Sequence, residues 1–232
     1  MIFGLTDDLI FPPPYLARED GLLAIGGDLS VERLLLAYSY GIFPWYGEED
    51  PILWWAPDPR LILEPKEFHL PKRLARIMRQ GVFDVSFDTA FERVIEACSI
   101  PRKGKEQGTW LVPEMKEAYI RLHEEGYAHS VECWKGGNLA GGLYGVSLGG
   151  IFFGESMFSR ESNSSKVALA HLVKFLRGWG FNLIDCQMKT SHLISLGARE
   201  MPGHEFYARL EEYVHLPNHQ GPWTGLLENH IP

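Results

Sequence analysis

A cluster of prolines before residue 60 constrains the fold of this chain more than any other feature of its sequence. The prolines are Pro44, Pro51, Pro57 and Pro59. Proline fixes its own φ angle and lacks an N–H donor, so we expect this stretch to be extended and irregular rather than helical. We therefore place a boundary at residues 57–60, which separates an N-terminal domain (1–58) from a second domain (59–232).

The N-terminal domain is rich in proline, glycine and tryptophan, and it contains one clear helix signal. Ser30 is a favourable N-cap, because its hydroxyl can accept a hydrogen bond from the first turn. Gly41 is typical of the residue that ends a helix. These two positions predict a single helix between them.

The second domain alternates between strand-like and helix-like segments. Strand patterns cover residues 61–64, 82–88, 128–134, 139–148, 150–158 and 182–187. Helices are predicted from residue 71, at 91–98, 113–126 and 164–177, and as short pieces near 191–197 and 204–214. Strands that lead through helices to further strands predict a mixed α+β domain.

Composition fits a soluble globular protein. A chain of 232 residues with 45% hydrophobic content can form a core without disulfides or structural metal. Its three separated cysteines are typical of a reducing cytoplasm, and we find neither a signal-peptide pattern nor a membrane-spanning run. We therefore expect a cytoplasmic protein. The formal net charge of −8 argues against non-specific coating of nucleic acid, so any such contact needs a local basic patch.

The strand predicted at 182–187 carries the most informative polar side chains. Because side chains alternate across a strand, Asp185 and Gln187 share one face, and Ile184 and Cys186 share the other. An aspartate in an apolar strand is costly unless it is paired or faces a cleft, so a structural and a functional role stay equally open. Glu155 follows the apolar run of the strand at 150–158, and its pattern alone favours a side chain that reaches water.

The helix predicted from residue 71 has one cationic face, formed by Lys72, Arg73, Arg76 and Arg79. The opposite arc is apolar and consists of Leu70, Leu74, Ile77 and Met78. No acidic residue lies between residues 68 and 83 to neutralise the cations. The cationic face is either a phosphate-binding stripe or an ordinary solvated surface.

Two tryptophans lie beside glycine, proline and turn residues, in poor surroundings for a core. They are Trp45 and Trp110. Exposed tryptophans can stack on nucleobases, at about 1–3 kcal/mol per base. For either residue alone, packing against the protein is the more common role.

Motifs of several cofactor-dependent enzymes are missing. The sequence has no GxxxxGK[ST] phosphate loop, no HExxH motif and no cysteine–histidine cluster at ligand spacing, so we expect no ATP chemistry, metal or other cofactor. The glycine pairs match no dinucleotide-binding fingerprint. A serine-hydrolase elbow needs GxSxG, and Phe158 stands where its second glycine would be.

Eight motifs occur in an order that resembles one known family. They are GLLAIGGDLS, GIFPW, ILWWAPDPR, EQGTW, HSVECW, GGLYGV, GESMFSR and LIDCQ. On these motifs the chain resembles the leucyl/phenylalanyl-tRNA–protein transferases from about residue 21 to residue 205. The resemblance implies a small N-terminal domain packed against a C-terminal domain similar to the GNAT acyltransferase fold.

The resemblance also implies a site. Asp185 and Gln187 would line the reaction centre with Glu155 close by, and Asp185 would orient the acceptor amine or take its proton. Trp45 and Trp110 would hold the terminal adenosine of the tRNA, and the cationic helix would meet its backbone. The aminoacyl side chain would enter an apolar pocket formed by Leu143, Phe152, Leu169, Leu172, Leu176 and Ile184.

The implied donors are tRNAs charged with Leu, Phe or, less readily, Met. The implied acceptors are proteins that begin with Arg or Lys, which the added residue marks for degradation by the N-end rule pathway. Two rival hypotheses are a CoA-dependent acetyltransferase and a non-catalytic RNA-binding protein. The first is disfavoured, because Asn163 and Ser165 occupy positions where a pyrophosphate-binding loop would carry its glycines.

Overall fold

A computed structural model describes residues 2–100 and 111–225, which contain two β-sheets. The strands of the smaller sheet are β1 (Phe3–Leu5), β2 (Leu22–Gly26), β3 (Phe43–Pro44) and β4 (Leu53–Trp55). Their order is β1-β2-β4-β3; β1 and β2 are parallel, and the other neighbours are antiparallel. This sheet lies wholly within the predicted N-terminal domain.

The proline-rich stretch is extended, as predicted, but it is less irregular than its sequence indicated. It contributes β3 and β4, which are two and three residues long and therefore too short to show an alternating pattern. Pro44 is tolerated because β3 is an edge strand, where a missing N–H need not interrupt a ladder.

Helix α1 (Val31–Ser39) confirms the helix predicted between Ser30 and Gly41. The Ser30 side chain accepts a hydrogen bond from the backbone N–H of Arg33 at 3.3 Å. Gly41 adopts φ +71°, the left-handed conformation that glycine accommodates most easily after a helix. The buried face of α1 carries Tyr38 towards the larger sheet.

The larger sheet has seven strands. They are β5 (Arg60–Leu63), β6 (Asp84–Phe87), β7 (Ala128–Lys135), β8 (Asn138–Leu148), β9 (Ile151–Ser159), β10 (Leu183–Gln187) and β11 (Arg199–Met201). Their order is β11-β5-β10-β9-β8-β7-β6, and every neighbouring pair is antiparallel except β9 and β10. The six strands predicted in the second domain are confirmed, whereas β11 was not predicted.

Helices cover both faces of the larger sheet. They are α2 (Lys72–Arg79), α3 (Phe91–Ser99), α4 (Pro113–Glu124), α5 (Ser164–Gly178), α6 (Ser191–Ile194) and α7 (Gly203–Val214). With α1, the helices α3, α4 and α7 pack on one face, and α2 and α5 pack on the other. The mixed α+β class is confirmed. Over the described ranges, no helix combines the length and apolar character that crossing a bilayer requires.

Two hydrophobic cores lie on opposite faces of the larger sheet. The first core is shared with the smaller sheet and includes Trp54, Tyr38 and Phe153, and the rings of the last two are 5.0 Å apart. The second core lies under α5 and includes Leu172 and Leu176. The N-terminal part of the chain therefore packs directly against the larger sheet.

Candidate active site

The parallel strands β9 and β10 separate part-way along their length. Their ladder ends at the pair formed by Asp185 and Phe153. Beyond that point β9 stays paired with β8 as far as Ser159, whereas β10 reaches Gln187, whose backbone is left-handed with φ +59°. A cleft therefore opens between the two strands at their carboxyl ends, and we call it the β9–β10 cleft.

The β9–β10 cleft contains a largely apolar cavity of about 280 Å³. Five of the six predicted pocket side chains line it: Leu143, Phe152, Leu169, Leu172 and Ile184. Leu176 does not line it; one turn further along α5, it is buried in the second core. Four further apolar or sulfur-containing side chains of the wall were not predicted as pocket residues: Met157, Cys186, Met188 and Leu193.

A carboxylate and a carboxamide bridge the cleft from opposite strands. Gln187 Nε2 donates a hydrogen bond to Glu155 Oε1 at 2.9 Å, and both residues line the cavity. This side-chain bridge follows the point where the backbone ladder ends. The pattern of its strand favoured a Glu155 side chain that reaches water. This prediction was wrong, because the side chain is half-buried in the cavity wall and hydrogen-bonded to Gln187.

Two buried tyrosines hold the other oxygen of Glu155. Tyr119 on α4 donates to Glu155 Oε2 at 2.8 Å, and the hydroxyl of Tyr38 on α1 shares a hydrogen bond of 2.7 Å with the hydroxyl of Tyr119. Burial raises the pKa of Glu155 to about 7, and the hydrogen bonds from the tyrosines and Gln187 lower it less than burial raises it. A carboxyl group with this pKa can exchange a proton near neutral pH.

Asp185 lies behind the cavity and not on its wall. Its side chain is 0% exposed and forms a two-point ion pair with Arg60, with Nε–Oδ1 and Nη2–Oδ2 distances of 2.8 and 2.6 Å. Its Oδ1 also accepts the backbone N–H of Gln187 at 2.9 Å. The expectation that Asp185 lines the reaction centre needs correction, because the side chain is buried and both of its oxygens are engaged.

Arg60, Tyr38 and Tyr119 support the polar side chains of the site, and the sequence did not reveal this role for any of them. Arg60 lies on β5, 125 residues before Asp185 in the chain. The tyrosines occupy apolar positions of two separate helices, where an ordinary core role is the default expectation. The only signal was weak: an arginine that directly precedes the apolar run of β5.

Only one of the two predicted adenosine-binding tryptophans falls within the described residues. Trp45 follows β3, is half-buried, and packs edge-on against Trp55 with ring centres 5.4 Å apart. The backbone oxygen of Trp45 also accepts the indole N–H of Trp55 at 2.6 Å. Trp45 does not line the apolar cavity. Trp110 lies outside the described residues.

The cationic face of α2 is open to solvent. Its four cations, Lys72, Arg73, Arg76 and Arg79, are all exposed. None of them forms an ion pair with any residue that the structure describes. On the opposite side Leu74 is buried and Ile77 and Met78 are half-buried, as predicted, whereas Leu70 precedes the helix and is exposed.

A larger groove of about 580 Å³ lies between α3 and α4, but it contains none of the predicted site residues. Its lining is mixed in charge, and Lys116 Nζ already pairs with Glu96 Oε2 at 2.7 Å. Among the residues that the structure describes, no group of three or more His, Cys, Asp or Glu side chains could hold a metal ion. We therefore take the β9–β10 cleft as the candidate site.

Two family models match separate parts of the chain. The model described as leucyl/phenylalanyl-tRNA protein transferase matches residues 62–211, and the model of that family's N-terminal domain matches residues 27–58. The prediction of a small N-terminal domain before a larger one is thereby confirmed. Among solved structures, a GCN5-related N-acetyltransferase from Kribbella flavida aligns with 72% of this chain and 59% of its own, at a TM-score of 0.38 and 11% identity.

Full-length relatives match at high identity. The chain is 57% identical over 224 residues to the leucyl/phenylalanyl-tRNA–protein transferase of Syntrophobacter fumaroxidans. This alignment covers 97% of this chain and 96% of that protein. It is 56% identical over 228 residues to the enzyme of the same name from Desulfatibacillum aliphaticivorans, with 98% of each chain covered. The chain belongs to the leucyl/phenylalanyl-tRNA–protein transferase family.

Proposed function

We propose that this protein transfers leucine or phenylalanine, and less readily methionine, from an aminoacyl-tRNA to the N-terminal arginine or lysine of acceptor proteins. The observation that carries the proposal is the apolar cavity that meets the Glu155–Gln187 bridge. An amino-acid side chain can enter this cavity while polar groups beside it hold an attacking amine. Membership of the family supports the same donor and reaction.

The cavity suits the side chains of the proposed donors. Half of the residues that line it are leucine, isoleucine, phenylalanine or methionine. Apolar pockets distinguish similar side chains by only about 1–3 kcal/mol per methylene, so we expect Leu, Phe and Met to be accepted together. The β-branched residues Ile and Val should fit less well.

The proposed reaction exchanges an ester for an amide. The acceptor nitrogen attacks the aminoacyl carbonyl and loses a proton, and the ribose oxygen of the tRNA leaves and gains one. The exchange is downhill and needs no separate energy source, but it does need a neutral amine. A free α-amino group has a pKa of about 7.7–8.0, so at pH 7 most acceptors are protonated.

Glu155 and Gln187 are the groups that we propose to meet the acceptor amine. The Gln187 Oε1 oxygen can accept an amine N–H while its Nε2 is held by Glu155. Glu155, with a pKa of about 7, is suited to accept the proton that the amine loses. Its negative charge also suits the cationic side chain of an N-terminal Arg or Lys, and holding the amine beside the carbonyl makes the attack effectively unimolecular.

Asp185 acts in this proposal through Gln187 and not as a proton acceptor. Its ion pair with Arg60 and its hydrogen bond to the Gln187 N–H support an orienting role. We therefore still propose a functional role for Asp185, but the role is to orient Gln187 and not to accept a proton.

We propose two contacts for the tRNA. The cationic face of α2 meets its phosphates, which is supported by four exposed cations on a chain whose net charge is −8. Trp45 and Trp110 hold the terminal adenosine; in support, Trp45 is partly exposed and follows a short edge strand.

We also propose that the domain boundary lies between residues 58 and 59. In support, β4 ends at Trp55, β5 begins at Arg60, and the two family models end at residue 58 and begin at residue 62. A cytoplasmic location follows from the need for charged tRNA, and degradation by the N-end rule pathway is the proposed fate of the acceptors.

One reaction separates this function from its two rivals. The protein is mixed with Phe-charged tRNA and a peptide that begins with Arg, and mass spectrometry reads the product. We expect one added Phe, only when the tRNA is charged, and no change in a control peptide that begins with Asp. Acetyl addition from acetyl-CoA would instead indicate an acetyltransferase, and tRNA binding without any product would indicate an RNA-binding protein.

A further inference from the structure

Arg60 is a buried arginine whose guanidinium carbon lies over two aromatic rings. It is 1% exposed, and its guanidinium carbon lies 4.9 Å from the ring centre of Phe43 and 4.9 Å from that of Phe206. Phe43 belongs to β3 of the smaller sheet, and Phe206 belongs to α7. The two rings come from distant parts of the chain and leave the guanidinium little freedom to move.

The edge of the same guanidinium fixes Asp185. Arg60 Nε and Nη2 donate to the two carboxylate oxygens at 2.8 and 2.6 Å. A two-point pair of this kind sets the plane of the carboxylate as well as its position. Lysine cannot reproduce it, because an ammonium group is a point charge without a planar fork.

Asp185 passes this constraint to the β9–β10 cleft. Its Oδ1 accepts the backbone N–H of Gln187, which holds that residue in a left-handed conformation that side chains rarely adopt. In this conformation the Gln187 carboxamide reaches across the cleft to Glu155. The ladder between β9 and β10 has already ended, so β9 no longer holds Gln187 through backbone hydrogen bonds.

We propose that Arg60 is a positioning residue for the transfer reaction: clamped by Phe43 and Phe206, it orients Asp185 so that Gln187 bridges the cleft to Glu155. The inference rests on the proposed function. It assigns the N-terminal sheet a part in turnover, because Phe43 supplies one side of the clamp.

The test compares Arg60→Lys with Arg33→Lys. Arg33 is a matched control: it too is buried and pairs with an aspartate, through Nε to Asp28 Oδ2 at 3.0 Å, but its other partners are backbone oxygens of Thr6 and Asp8. We expect Arg60→Lys to lower kcat about 100-fold with unchanged KM for charged tRNA and peptide, as a misplaced reacting group does. Arg33→Lys should keep the wild-type kcat.

A pH profile separates positioning from general loss of structure. Because the hydrogen bond from Gln187 lowers the pKa of Glu155, its loss in Arg60→Lys should move the acidic limb of kcat to higher pH. Arg33→Lys should leave that limb unchanged. Wild-type kcat and pH profile in folded Arg60→Lys would overturn the inference, whereas absence of transfer by the wild-type protein would overturn the proposed function instead.

If Arg60→Lys does not fold, Phe206→Leu provides the second test. This change keeps Arg60 and removes one side of its clamp. A lower kcat with unchanged KM supports the inference, and a wild-type kcat in the folded variant overturns it.

Discussion

The raised pKa of Glu155 follows from its surroundings. Its carboxyl group is half-buried and accepts hydrogen bonds on both oxygens, from Tyr119 on one side and Gln187 on the other. Burial disfavours the charged form more than these bonds favour it, so its pKa rises to about 7. The charged form is therefore fully present only above neutral pH, and it is lost as the pH falls through 7.

We expect Glu155→Gln to lower kcat/KM for the peptide about 100-fold or more and to remove the acidic limb near pH 7. The reason is that only the ionised carboxylate can accept the proton of the amine. The measurement is kcat/KM across the neutral pH range with saturating Phe-charged tRNA. A second limb from the acceptor amine, at about 7.7–8.0, should remain in the variant. Persistence of the limb near pH 7 would assign that limb to another group.

Asp185 illustrates how far single residues could be predicted from the sequence. The alternation of its strand correctly separated Asp185 from Ile184 and Cys186, which pack with the second core. It was wrong for Gln187, which lines the same cavity as Ile184 and Cys186, because the register of the strand shifts after Asp185. Its partner was not predictable, because no local spacing relates β5 to β10 and their contact depends on the order of the whole sheet. The burial of Asp185 follows from that pairing, and it changes the role that we propose for the carboxylate.

Among the elements, α5 serves the cavity and the core at once. Leu172 lines the cavity, whereas Leu176, one turn further on, does not, and both are buried. The helix therefore provides a matched pair of positions. Truncation of either leucine should cost similar packing energy, but only one truncation should change the shape of the cavity.

We expect Leu172→Ala and Leu176→Ala each to lower the free energy of unfolding by about 2–5 kcal/mol. Leu172→Ala alone should also raise the ratio of kcat/KM for Phe-charged over Leu-charged tRNA, by about 10-fold, because the enlarged cavity favours the larger side chain. Urea unfolding and paired kinetic assays provide the two measurements. Equal changes of the ratio in both variants would show that Leu172 does not determine the preference between Phe and Leu.

If the cationic face of α2 binds tRNA phosphates, its removal should change how tRNA binding depends on salt concentration. We expect Arg76→Gln combined with Arg79→Gln to weaken tRNA binding and to flatten its dependence on log salt concentration by about 0.7–0.9 per lost phosphate contact. Binding is titrated at several salt concentrations. Arg18→Gln is the control, because Arg18 is exposed but already paired with Asp20 at 2.8 Å. An unchanged slope of tRNA binding against log salt concentration in the double variant would show that α2 does not contact the tRNA phosphates.

Length favoured the prediction of an element but did not decide it, because β5, β6 and β10 have only four or five residues and were also predicted. The strands β7, β8 and β9 and the helices α4 and α5 were all predicted, because each spans enough residues to show its period. The strands that were missed have two to five residues: the four of the smaller sheet and β11. Their positions depend on tertiary pairing, which local sequence does not reveal.

For the whole molecule, the first core joins the two sheets into one packed unit. It contains Trp54 of the smaller sheet together with Tyr38 and Phe153. We therefore expect thermal unfolding in a single cooperative transition, with equal calorimetric and van't Hoff enthalpies. Two resolved transitions in a calorimetric scan would show that the N-terminal domain unfolds independently.

The larger sheet also acts as a partition. The leucines that we propose to receive the aminoacyl group belong to the core under α5, whereas the tyrosines that support Glu155 belong to the core on the opposite face. In the proposed function, selection of the amino acid and transfer of the proton thus depend on opposite faces of the sheet, which meet only where β9 and β10 separate. Substitutions in α5 would therefore adapt the cavity to a different amino acid without changing Glu155 or the two tyrosines that support it.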